Sequence, residues 1–66
     1  MKNTIKVERA IKGITQETLA KKIGVSRQTI NSIEKNRYVP STVLALKIAK
    51  IFEKDVNDIF ELEDGD

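Results

Sequence analysis

Apolar residues along the chain recur at spacings of three and four rather than two, the pattern of helices that each bury one face. No stretch of four to eight residues alternates cleanly, and three glycines and one proline are the only strong breaks, so the sequence predicts an all-α fold. The first helix is expected from Thr4 to Lys12, capped by Asn3 and stopped by Gly13. Thr15 caps a second, which places Leu19, Ala20 and Ile23 on one face before Gly24 ends it. Ser26 caps a third from Arg27 to about Lys35, with Ile30 and Ile33 inward. Asn36 to Pro40 reads as a loop, because Pro40 drives Val39 toward extended backbone. Ser41 then caps a fourth helix, whose main inward stripe is Ala45, Ile48, Ala49 and Phe52. Asp55 and Asp58 form a capping arrangement for a short fifth helix carrying Val56, Ile59 and Phe60. One domain is expected over residues 1–62, followed by a flexible acidic segment, 63–66, with nothing to bury.

Composition narrows the chemistry. A chain of 66 residues makes one small domain that buries only about 60% of its unfolded surface, so a partner subunit helps it. Zero cysteines and zero histidines remove disulfides, thiolate or imidazole metal sites and histidine acid–base catalysis. No apolar run approaches a membrane span and the N-terminus carries no signal-peptide core, so a cytoplasmic protein is expected. An enzyme is not: Asp58 and Glu61 lie one turn apart, but such a pair on an amphipathic helix reads as a solvated face. No metal, cofactor or small-molecule ligand is called for.

The net charge of +2 hides a division. Residues 1–52 hold eleven of the twelve bases and three acids, a net +8, while residues 53–66 hold one base and seven acids, a net −6. The basic body points toward a polyanion.

Gln16 to Glu34 is the informative segment. Two helices joined by a tight turn need a small residue where they cross and apolar residues behind the turn. Ala20 is the small residue, Gly24 sits in the turn, and Leu19, Ile23, Val25, Ile30 and Ile33 close the wedge. With Ile5-Lys6-Val7-Glu8-Arg9-Ala10, Val25-Ser26-Arg27-Gln28-Thr29-Ile30-Asn31 and Tyr38-Val39-Pro40-Ser41, the chain over roughly residues 3–60 resembles the Xre family, helix-turn-helix proteins related to phage repressors and Cro. The resemblance implies a compact five-helix, lambda-repressor-like domain whose third helix enters the major groove of double-stranded DNA, and a two-fold homodimer on its operator. Transcriptional repression is the implied function. The alternative is an antitoxin-like protein-interaction module with autoregulatory DNA binding, for which the acidic end is the suggestive feature.

Carried over by position, Gln16 at the start of the second helix contacts a phosphate. Ser26, Arg27 and Gln28 open the recognition helix, where arginine pairs with guanine and glutamine with adenine. Thr29, Asn31 and Ser32 are further groove-facing candidates, and Asn36, Arg37 and Tyr38 grip the backbone beyond. Arg27 also sits against the helix dipole, which suggests a task outside the helix. Lys21 and Lys22 read as solvated. The resemblance further implies a partly buried pair between Arg9 and Glu34 that orients the recognition helix.

Several positions depart from the family. Glu8 stands where relatives often carry leucine, and Ile11 is apolar where they are polar, which raises a rotated first helix or an apolar Ile11 lent to another surface. Glu53-Lys54 replaces the glycine and apolar residue that usually follow the fourth helix, at a cost of about 1 kcal/mol if Glu53 takes positive φ. Val43, Leu44, Leu46 and Ile51 leave the fourth helix apolar beyond its stripe. A homodimer built on this flank, the fifth helix and Ile59 to Leu62 is therefore expected.

Overall fold

A computed structural model describes residues 1–66. Five helices follow in order: α1 (Ile5–Lys12), α2 (Gln16–Ile23), α3 (Arg27–Glu34), α4 (Thr42–Ile51) and α5 (Val56–Ile59). Around them runs a short antiparallel pair that the helical pattern did not announce, β1 (Lys2–Asn3) and β2 (Phe60–Glu61), in register Lys2 to Glu61 and Asn3 to Phe60. It ties the two ends of the domain together. No helix is long and apolar enough to cross a membrane.

Helix starts follow the capping residues. Thr15, Ser26 and Ser41 each accept a hydrogen bond on the side-chain oxygen from the backbone N–H three residues on, closing the first turns of α2, α3 and α4. Two expectations are corrected. Thr4, not Asn3, is the cap residue of α1, although Asn3 Oδ1 still accepts from the Ile5 N–H at 3.2 Å. Asp55 precedes α5 without a side-chain cap bond, because the Asp58 N–H is taken by the Asp55 carbonyl at 2.9 Å.

Helix ends share one device. Each of α1 to α4 finishes in a left-handed residue, and the N–H of the following residue reaches back to a carbonyl in the last turn: Ile14 to Arg9, Val25 to Ala20, Arg37 to Ser32 and Lys54 to Ala49. Gly13 and Gly24 hold the first two of these positions at φ 70° and 76°. Asn36 (φ 60°) and Glu53 (φ 55°) hold the others. Asparagine tolerates that conformation, whereas glutamate bears the full Cβ cost of about 1–2 kcal/mol. Glu53→Gly is accordingly expected to raise stability by about 1 kcal/mol, a gain of roughly 4–8 °C in melting temperature. Glu53→Ala keeps the Cβ and is expected to melt with the wild type; equal melting of the glycine variant would refute the strain.

The core is a single cluster of 13 apolar residues, with Ile5, Leu19, Ile30, Ile33, Ile48 and Ile59 fully enclosed. The expected inward faces of α2, α3 and α4 all lie in it, and Ile14, Val25, Ile51 and Val56 pack at its edge. Leu44, expected on the outer flank of α4, is only 8% exposed. Helix α4 packs against both α2 and α5, so its buried arc is wider than one stripe. Ile59 and Phe60 are likewise core residues, so these three side chains offer little surface to a partner.

The two family departures meet in space. Helix α1 is not rotated: Glu8 keeps its inward position at 7% exposure while Ile11 is 71% exposed. The buried carboxylate is met by Lys54 Nζ at 2.8 Å, from the turn after α4. A charged residue in the leucine position is thus matched by a charged residue in the neighbouring apolar position, and neither remains unpaired.

The terminal residues form a turn in which the Asp66 N–H donates to the Glu63 carbonyl and the Glu63 N–H to Asp66 Oδ2. The Met1 amino group lies 3.0 Å from Asp66 and 3.3 Å from Glu63. The hydrogen bond to Asp66, above all, raises the amine's pKa above its ordinary value, and the Glu63 N–H lowers that of Asp66. The contact therefore holds between those two titrations, weakening as pH falls through the lowered carboxylate or rises through the raised amine.

Candidate nucleic-acid interface

Helices α2 and α3 are the most extensively packed helix pair in the molecule. With Ile30 and Ile33 buried, the helical repeat turns Arg27, Gln28, Asn31 and Ser32 away from the core. Arg27 and Gln28 are exposed, and no protein group pairs with either side chain. Asn31 and Ser32 are half-buried on the same side, one turn further along.

The remaining candidates on and just beyond α3 fall into two groups. Ser26 and Thr29 are committed to the start of α3: Ser26 Oγ accepts from the Thr29 N–H at 3.2 Å, and the two hydroxyls lie 2.9 Å apart. Asn36, Arg37 and Tyr38 form the exposed loop after α3. Asn36 Oδ1 accepts from Asn3 Nδ2 at 3.3 Å, while the guanidinium of Arg37 is unpaired. Asn3, which the sequence marked only as a cap, also donates to the Ile33 carbonyl at 2.8 Å. It anchors the end of α3 from β1, a role no periodicity signals because it spans 30 residues.

Behind α3, Arg9 donates to both oxygens of Glu34, at 2.6 and 3.0 Å, and to the Ile14 carbonyl at 3.2 Å. The hydrogen bonds it donates to Glu34 hold the guanidinium pKa above its ordinary value. Side-chain exposures of 15% and 7% make this a largely desolvated pair. It links α1 to the last turn of α3, as the resemblance implied. Gln16 joins the same network through Nε2, 3.2 Å from Glu34 Oε1 and 3.3 Å from Asn31 Oδ1. Its amide nitrogen is therefore spent inside the protein. What remains free at the start of α2 is backbone: the N–H groups of Gln16 and Glu17 have no partner in the chain, and the helix dipole favours an anion there. Arg27 and Gln16 border one shallow cleft of about 520 Å³ at this helix start.

Ion pairing sharpens the charge of the body. Each of its three acids has a basic partner: Glu8 with Lys54, Glu17 with Lys21 and Glu34 with Arg9. Arg27, Lys35 and Arg37, on α3 and just beyond it, have none. The face of α3 thus presents unpaired cations beside amide side chains, the two contact types that hold and read a duplex.

Residues 5–59 match the family model described as Helix-turn-helix. A Methanocaldococcus jannaschii protein named an uncharacterized HTH-type transcriptional regulator is 58% identical over 66 residues, covering 100% of both chains. A Bacillus subtilis protein of the same description is 52% identical over 64 residues, 97% of each. The ImmF control region 10 kDa protein of Bacillus phage phi105 is 40% identical over 53 residues, which are 80% of this chain and 59% of that one. Five helices, the α2–α3 crossing and these matches agree, and the chain belongs to the Xre-like helix-turn-helix family of DNA-binding transcriptional regulators.

Proposed function

We propose that this regulator is a repressor that binds a near-palindromic operator as a homodimer, with α3 of each subunit in the major groove. The observation that carries the reading is the outward row Arg27, Gln28, Asn31 and Ser32 on α3, flanked by free backbone N–H groups at α2 and the unpaired Arg37. Phosphate contacts set the register of the helix, and base-edge contacts from the row supply discrimination. Gln28 reads adenine and Arg27 guanine, each through two parallel hydrogen bonds.

Size supports repression by occlusion. A domain 31 × 22 × 20 Å covers close to one turn of duplex, and two copies centred about 34 Å apart cover a promoter element and exclude competing proteins.

Selection of bound duplexes from a random pool is expected to return an inverted repeat with half-sites about one helical turn apart. Enrichment of a single unrepeated half-site, or of nothing, refutes the operator. On the selected site, Gln28→Ala is expected to lose discrimination at one base pair per half-site, worth about 1–3 kcal/mol. Arg37→Ala is expected to weaken all sequences alike and reduce the slope of log affinity against log salt by about one.

A further inference from the structure

Four side chains behind the recognition face form a hydrogen-bond chain whose direction is fixed from one end. A guanidinium only donates and a carboxylate only accepts, so Arg9 facing Glu34 leaves the carboxylate open only to another donor. The group that Gln16 turns toward Glu34 Oε1, at 3.2 Å, is therefore its NH2. That same nitrogen lies 3.3 Å from Asn31, whose facing atom is the acceptor Oδ1. The ion pair thus settles which way round two amides sit. Asn31 is left with its Nδ2 outward and without a protein acceptor, on the turn of α3 that follows Arg27 and Gln28.

We propose that Gln16 is a positioning residue that locks the Asn31 amide with its N–H groups outward, making Asn31 a donor-only reader that selects guanine over adenine at the base pair it faces. The inference rests on α3 occupying the major groove. Guanine shows two acceptors there, N7 and O6, whereas adenine shows the acceptor N7 beside the donor N6. An asparagine amide pairs with adenine by offering its oxygen and its nitrogen together. With Oδ1 turned inward to Gln16, Asn31 offers nitrogen alone, and N6 of adenine meets another donor.

Duplex selection with the wild type and three variants tests this, with circular dichroism confirming that each variant folds. The wild type is expected to select guanine at one position per half-site, and Asn31→Ala to lose about tenfold of discrimination at that position only. Gln16→Leu leaves the Arg9–Glu34 pair in place and frees the Asn31 amide to turn; guanine at that position is expected to relax toward adenine with the other positions unchanged. Asn31→Asp still accepts from Gln16 but puts an acceptor outward, and the preference is expected to move to cytosine, whose N4 donates. Full retention of guanine by Gln16→Leu overturns the lock, as does an Asn31→Ala profile identical to wild type or a wild-type preference for adenine there. A site that responds to Gln28→Ala but not to these variants removes the lock and leaves the groove reading standing. No enrichment by the wild type removes both.

Discussion

Replacing Glu34 by glutamine is expected to destabilise the domain by about 3 kcal/mol and lower its melting temperature by roughly 12–24 °C. The carboxylate accepts from Arg9 twice and from Gln16 once. An amide of the same shape has one acceptor, and its NH2 faces a donor on Arg9 or on Gln16 whichever way it turns. The larger loss is the charge. With side-chain exposures of 15% and 7%, water compensates little for a guanidinium left without its counterion, and stranding one member of a buried pair costs far more than the pair itself contributes. The double variant Arg9→Met with Glu34→Leu strands nothing and is expected to recover most of the melting temperature. It does not recover DNA affinity, because the link from α1 to the last turn of α3 is gone and the recognition helix loses its fixed orientation. Thermal melts and binding to a selected operator separate the two effects. A Glu34→Gln protein that melts within about 1 °C of wild type would show that the pair holds nothing together.

The parts of this architecture that were legible in the sequence are those fixed by neighbours in the chain. Thr15, Ser26 and Ser41 act on N–H groups three residues on, and Gly13 and Gly24 act on the turn they occupy, so their meaning is carried by local spacing. The exposed position of Arg27 and Gln28 at the start of α3 follows from the Ser26 cap in the same way, whereas their part in reading bases is implied by the resemblance alone. The strand pair was not: β1 and β2 are two residues each, too short for alternation to register. Nor was the burial of Leu44, since the width of α4's inward arc depends on how many helices pack against it. Glu8 and Lys54 stood out separately as departures 46 residues apart, and only the fold joins them. The family pattern points Asn36 toward DNA. Its backbone at φ 60° and its bond from Asn3 show that it ends α3. The Gln16–Asn31 contact arises at the crossing of α2 and α3, and a crossing has no period in the sequence.

Leu46→Asp is expected to convert a dimer into a folded monomer and to lower affinity for the full palindrome by about 10²- to 10⁴-fold. The buried positions of Leu44, Ile59 and Phe60 shift the expected interface outward, onto Val39, Val43, Leu46 and Leu62, which are 54–76% exposed. Several of these rim a groove of about 600 Å³ between α4 and β2, floored by Pro40, Val56 and Phe60. Apolar surface gathered around one concavity, on residues that do not belong to the recognition face, is what a two-fold contact requires. An aspartate at position 46 is solvated in the monomer, so helical content and melting of the isolated domain are expected to stay near wild type; in the dimer it buries an unpaired charge. Affinity then falls for a geometric reason. Two recognition helices held one turn apart make the second half-site contact intramolecular, and a monomer loses that advantage while keeping every contact to a single half-site. Half-site binding is accordingly expected to be unchanged. Sedimentation of the wild type as a monomer at high micromolar concentration without DNA would end the dimer reading, whereas a Leu46→Asp protein that still sediments as a dimer would place the interface on another face.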